Sequence, residues 1–255
     1  KHVVCFDTFK NTTSGYNVDN GYNALAENTT ANNNTATGYR SLRLNTTGTQ
    51  NTASGAYSLY DLTTADYTTA IGFGAGANIT TGGSNTAVGR CALGGTTTGT
   101  SNVAIGMEAV LNNTTGVNNV GIGYQAANVM TTGVNNIATG YRSLYYTTTG
   151  SSNTGSGLYA MKCNTTGSGN TAFGGYAGQG ASGPGATGGY NTSIGYRALY
   201  LYSTGGYNTA VGMDALCANT TGDYNTAIGF RSLRENTTGI RNTASGRYAG
   251  CNLTT

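Results

Sequence analysis

Charge is scarce in this chain. Only 8% of its 255 residues are Asp, Glu, Lys or Arg, and the formal net charge is +3. The arginines are spread along the sequence, so no patch concentrates the cations that a nucleic-acid face uses to neutralise phosphate. Histidine occurs once, as His2, in the irregular opening segment, where it reads as a solvated residue and not a base. The acids Asp7, Asp19, Glu27, Asp61, Asp66, Glu108, Asp214, Asp223 and Glu235 are scattered. General acid–base work needs two carboxyls held a few ångströms apart, and no such pairing is visible. The sequence therefore assigns no catalytic residue, and the expectation is a protein that is not an enzyme and carries no cofactor. Five cysteines form no C-x-x-C, which argues against a zinc site. No apolar run approaches the ~18 residues of a membrane-spanning helix. The chain opens at Lys1 without a recognisable leader, and a processed chain is the simple explanation.

Glycine is abundant, with 42 residues, and the glycines keep time. The Gly that closes N-T-A-x-G recurs as Gly21, Gly38, Gly55, Gly72, Gly89, Gly106, Gly123, Gly140, Gly157, Gly174, Gly195, Gly212, Gly229 and Gly246. The step is 17 residues throughout, except for 21 between Gly174 and Gly195. One short unit is thus repeated in a single phase with one four-residue insertion, near 174–190, which also holds the only proline, Pro184. A polar, Gly-rich composition alone would fit disorder. Apolar and aromatic residues recurring in phase fit a packed array.

Counting the Asn of N-T-A as position 1 of the unit, position 2 is usually β-branched (Thr35, Val103, Ile137), position 3 small (Ala36, Ala104, Ala210) and position 4 often β-branched (Ile71, Val88, Ile228). That alternation, closed by Gly, predicts a short strand. Several Gly and Thr per unit argue against a helix. Tyr or Phe follows at position 6, a small residue at position 8 and usually Leu at position 9, which predicts a second short strand or a corner placing Leu inside. N-T-T-G closes the unit, and its Gly predicts a turn at positive φ. The resulting expectation is an all-β, parallel β-solenoid (β-roll) of about fourteen 17-residue coils over residues 11–255. Residues 1–10 are expected to form an N-terminal cap or docking strand. The last residues, Asn252 to Thr255, stay in phase, so either the chain continues beyond them or this end is covered by another molecule, and the second is the leading expectation.

The words Asn102-Val103-Ala104-Ile105-Gly106 and Asn225-Thr226-Ala227-Ile228-Gly229, repeated in tandem, resemble the head repeats of YadA-like trimeric adhesins. The longer form from Asn191 to Leu199 is similar to NTAIGYxAL…NTTG repeats of bacterial surface and phage fibre proteins. Their coils are shorter in the adhesin heads than the 17 residues here. The resemblance implies an extracellular parallel β-roll used for binding or as a shaft.

Four groups of residues are candidates for function. Sequons place candidate N-glycosylation at Asn11, Asn28, Asn33, Asn45, Asn78, Asn112, Asn113, Asn164, Asn191, Asn219, Asn236 and Asn252, so N-linked glycans are candidate partners. Cys217 and Cys251 share a repeat position two coils apart, roughly 10 Å and beyond disulfide reach. Cys5 and Cys251 sit near opposite ends, so only a contact between neighbouring subunits would join them. Tyr57, Tyr159, Tyr176 and Tyr248 share one position and are candidate surface-binding residues. Thr pairs such as Thr46-Thr47 and Thr220-Thr221 offer an ice-binding ladder, with one Thr of each pair facing outward. Gly72-Phe73-Gly74-Ala75-Gly76 has the look of a phosphate loop but lacks the strand–helix frame such a loop needs. The leading expectation is a structural subunit of an extracellular fibre that self-associates head to tail or as a trimer. An adhesin or phage-type shaft is the alternative, and an ice-binding solenoid the third.

Overall fold

A computed structural model describes residues 15–181, 183 and 185–255. The candidate cap at 1–10, His2, Cys5, Asn11 and Pro184 lie outside the described residues. The chain divides into two compact units, Lys1–Ile122 and Gly123–Thr255. Among the described residues every regular element is a β-strand of three residues, and no helix is long and apolar enough to cross a membrane.

The first unit contains β1 (Val18–Asn20), β2 (Thr35–Thr37), β3 (Thr52–Ser54), β4 (Thr69–Ile71), β5 (Thr86–Val88), β6 (Val103–Ile105) and β7 (Val120–Ile122). Each pairs in parallel with the next in chain order, like residues opposite like: Thr52 faces Thr69, and Ala53 faces Ala70. The second unit contains β8 (Ile137–Thr139), β9 (Thr154–Ser156), β10 (Thr171–Phe173), β11 (Thr192–Ile194), β12 (Thr209–Val211), β13 (Thr226–Ile228) and β14 (Thr243–Ser245). It repeats the same parallel, in-register order. Each unit is thus a parallel β-solenoid, the fold that the 17-residue phase predicts.

Each coil has one strand, and of the two expectations for the following residues, a second strand or a corner placing Leu inside, the corner is found. Positions 6–11 form a run of turns, because positions 7 and 9 are left-handed: Arg40 has φ 56° and Leu42 47°, Arg197 55° and Leu199 51°. Extended pairing cannot run through such residues. The alternation turns successive amides in opposite directions along the stack. Arg40 N donates back to Tyr22 O at 2.9 Å, and Leu42 N donates forward to Ser58 O at 3.0 Å. A left-handed Leu costs about 1–2 kcal/mol. Full burial of that Leu stabilises by about 1.5–3 kcal/mol, which offsets the strain. Leu42, Leu59, Leu93, Leu144, Leu199 and Leu216 are all wholly buried.

The core is thin and stacked. Position 3 contributes Ala36, Ala53, Ala70, Ala87 and Ala104 in the first unit, all at 0% exposure, and position 9 contributes the Leu row. The two glycines of the repeat serve different ends. At position 5, Gly38 has φ 130°, and a Cβ there would fall 2.7 Å from the carbonyl of Gly55. At position 15 the expected positive φ is absent. Gly48 is required because a Cβ would collide with the carbonyl oxygen of Ala65 and lie 2.7 Å from Asn45 Oδ1.

The extra residues of the long coil fall between Gln179 and Ala186. Register has resumed at Ala186, whose carbonyl accepts from Thr165 N at 2.8 Å and Thr165 Oγ1 at 3.1 Å. Thr165 O accepts from Thr148 in the same way, at 2.9 and 3.3 Å.

Candidate functional site

Asparagine recurs inside each unit at two positions, nearly continuously at position 1 and in alternation with Leu, Ile, Thr, Met or Tyr at position 12. At position 1, Asn34 Nδ2 donates to Gly48 O within its own coil at 2.9 Å, while its Oδ1 accepts the backbone N–H of Asn51 at 2.9 Å. The pattern recurs in the second unit, where Asn208 Nδ2 donates to Gly222 O at 2.8 Å and its Oδ1 accepts Asn225 N at 2.9 Å. One side chain therefore closes its own coil and ties it to the next. At position 12, Asn45 Nδ2 also donates to Gly48 O at 2.9 Å, and its Oδ1 accepts Gly48 N at 3.0 Å. The N-T-T-G word is this side-chain-closed turn, in which Asn caps a backbone bend that lacks a ladder partner.

This chemistry occupies most of the sequon asparagines. Asn28, Asn45, Asn113, Asn164, Asn219 and Asn236 are fully buried and Asn191 is 3% exposed. The amide nitrogen of each, the atom a glycan would be attached to, donates to a backbone carbonyl inside the coil. Those seven positions have no room for a sugar in the folded chain. Asn33, Asn78, Asn112 and Asn252 are exposed.

The threonine pairs divide as a single outward residue per pair requires. Position 13 turns its hydroxyl to the next coil: Thr46 Oγ1 donates to Thr63 O at 3.1 Å and Thr220 Oγ1 to Thr237 O at 3.1 Å. Position 14, as Thr47, Thr98, Thr132 or Thr221, is exposed.

Outside, aromatic side chains pack along the coils. Tyr57 meets Tyr39 edge-on with centroids 5.3 Å apart, and it meets Phe73 at 5.9 Å. Tyr159 lies between Tyr141 at 5.3 Å and Tyr176 at 5.5 Å. Tyr57, Tyr159 and Tyr176 are half-buried in these clusters, and Tyr248, packed on Phe230, is exposed. The shared repeat position thus holds, but three of the four candidates spend much of their surface on neighbouring rings. Tyr57 also walls an apolar hollow of about 340 Å³, opened where Gly74, Ala77 and Gly94 leave space between Tyr60, Phe73 and Leu111.

Charged side chains on this surface pair with one another or lie over aromatic rings, as Arg40 does over Tyr39. Buried Asp214 sits between Arg197 at 3.6 Å and Arg231 at 3.4 Å. Cys91, Cys163, Cys217 and Cys251 are free thiols. Burial raises the pKa of Cys163 and Cys217 above the ordinary thiol value, which keeps them protonated and unreactive. Cys251 is half-buried, and its candidate partner Cys5 lies outside the described residues. Among the described residues, no three His, Cys, Asp or Glu side chains gather as metal ligands.

One surface feature was not singled out in the sequence. At position 17, Tyr190, Tyr207 and Tyr224 stand in consecutive coils with their rings stacked, centroids 5.1 and 4.9 Å apart. Their signal is the word Tyr-Asn-Thr three times in succession. No protein-family model, curated protein or solved structure matches the chain.

Proposed function

We propose that the chain is a structural, non-enzymatic segment of an extracellular fibre, a self-associating stack of coils whose work is mechanical. The observation that carries this reading is the asparagine row at position 1. Each member hydrogen-bonds both within its coil and to the next, so stretching or bending the stack must break paired polar groups in a dry interior. The carboxylate of Asp214 supports it too, since it is held between two guanidinium groups and not presented to a substrate. The extracellular assignment leans on the resemblance of the repeats to adhesin and fibre proteins.

Immunogold electron microscopy of the native source, with an antibody to this chain, tests the proposal. Label along surface filaments is the expected result. Label confined to the cell interior, with the purified protein remaining monomeric, would overturn it.

The adhesin reading is favoured by a different observation, the apolar hollow beside Tyr57 in the first unit. Exposed concave apolar surface of this kind is the usual starting point for a binding site.

A further inference from the structure

We infer that the second unit carries a saccharide-binding groove between its tyrosine row and its outward threonines, and that its ligand is a neutral, linear, β-linked polysaccharide.

The groove has a volume of about 360 Å³. Tyr190, Tyr207 and Tyr224 form one wall; Thr166, Thr187 and Thr204 form the other. Its floor is backbone, because position 16 is Gly189 and then Gly206 in consecutive coils. Most other coils bear a side chain there, as in Thr49, Asp66, Thr100, Ser151 and Ile240, and the other glycines of this position, Gly15 and Gly83, stand singly. Asp223 closes one end and is fixed there, its Oδ1 accepting Gly206 N at 2.7 Å.

The walls select the ligand. The three rings lie nearly parallel, at 14° and 8° to one another, so each covers its neighbour's face. At one end Tyr190 lies over the backbone of Gly169, where an added Cβ would be 2.7 Å from the ring. The faces between the rings and the Gly169 side of Tyr190 are therefore closed to a guest, which disfavours the stacking of successive bases that holds single-stranded nucleic acid. The exposed parts are phenol edges and hydroxyls, repeating at the coil spacing opposite threonine hydroxyls at the same spacing. An extended peptide advances about 3.3 Å per residue, and a polyproline helix about 3.1 Å with three residues per turn, so neither presents an equivalent group at every rung. No cation lines the groove and one carboxylate does, which disfavours sulfated or phosphorylated polymers. A flat β-1,4-linked hexopyranose chain advances by nearly the coil spacing per sugar. Its equatorial hydroxyls can meet both walls at each rung.

Isothermal titration of the whole chain with cellohexaose, chitohexaose and β-1,4-mannohexaose tests this, with maltohexaose and a heparin hexasaccharide for contrast. Binding of at least one β-linked hexasaccharide is expected, with neither contrast ligand bound. Loss of a hydrogen-bonding rung in Tyr207→Ala should weaken binding about tenfold or more. Gly206→Thr should do the same by filling the floor; its Cβ would lie 2.9 Å from Gly189 O, so a thermal melt first establishes that the variant is folded. Tyr67→Ala, which removes an isolated exposed tyrosine of the first unit, should change nothing. No β-linked binding, preference for heparin, or wild-type affinity in Gly206→Thr would overturn the proposal.

Discussion

The hydroxyl of Tyr202 donates to Oδ1 of Asn164 at 3.2 Å, across 38 residues of chain. Both stand at position 12 of their coils, two coils apart. The coil between them is the long one, which leaves this row while it accommodates its extra residues. A wholly buried tyrosine thus reaches past an interrupted rung to the asparagine beyond it. The insertion is tolerated because one larger side chain restores both the packing and the polar contact.

Tyr202→Phe should destabilise the chain by about 1–2 kcal/mol, since it deletes the hydroxyl and leaves Asn164 Oδ1 short of a donor. Tyr202→Ala should cost about 3–5 kcal/mol through the cavity it opens. Urea denaturation measures both. Burial, and then the neighbouring Cys163, hold the pKa of Tyr202 above the ordinary tyrosine value. A raised folded pKa means that its contribution is complete below the unfolded value of about 10 and is lost as pH rises through the folded one. Tyr202→Phe should therefore flatten the alkaline limb of the stability profile.

Gly72 and Gly74 are two residues apart and should respond differently. An added Cβ at Gly72 would lie 2.8 Å from the Gly89 carbonyl, at φ 131°. At Gly74 it would meet nothing nearer than Cys91 Sγ at 3.6 Å, at φ 63°. Gly72→Ala is expected to cost about 3 kcal/mol or more, and Gly74→Ala about 1–2 kcal/mol. Thermal melts of the two variants make the comparison.

Asn208→Asp tests the internal row with pH as the control. An ionised aspartate can still accept Asn225 N, but it cannot donate to Gly222 O, and it is a buried charge. Its folded pKa must rise above the unfolded value of about 3.9. The variant's stability should then be greatest below that value and fall as pH rises through the folded pKa. Denaturation at acid and neutral pH should show a deficit that shrinks on acidification, while a deficit independent of pH would contradict the hydrogen-bond assignment.

Among the sequons of the described residues, N-linked glycan is expected only at Asn33, Asn78, Asn112 or Asn252, and none at Asn28, Asn45, Asn113, Asn164, Asn191, Asn219 or Asn236. Glycopeptide mass spectrometry decides this site by site.

The solenoid was legible because its period is written in one residue. Gly38, Gly55 and their successors keep a single phase, and that phase alone sets which strand lies beside which. The strand at positions 2–4 was legible from alternation around Ala36 or Ala104. The corner was not. Leu42 and Leu199 carry no local sign of a left-handed backbone, and only burial makes that conformation tolerable. Gly48 misled for a related reason, since a glycine spared for close approach looks the same in sequence as one spared for positive φ. The asparagines of N-T-T-G spell a sequon and a buried turn with the same letters, and exposure alone separates the two. Tyr190, Tyr207 and Tyr224 were visible as a word. That the faces between them are covered and their edges free follows only from the stacked geometry.

Amide hydrogen exchange on the whole chain tests the central claim, that polar ladders tie each coil to the next. The amides of Asn51, Asn102, Asn153, Asn208 and Asn225 each donate to the asparagine one coil back. They should be strongly and similarly protected in every coil, and more so than the exposed turn residues at position 14. Exchange of these asparagine amides at the rate of free peptide would contradict the account.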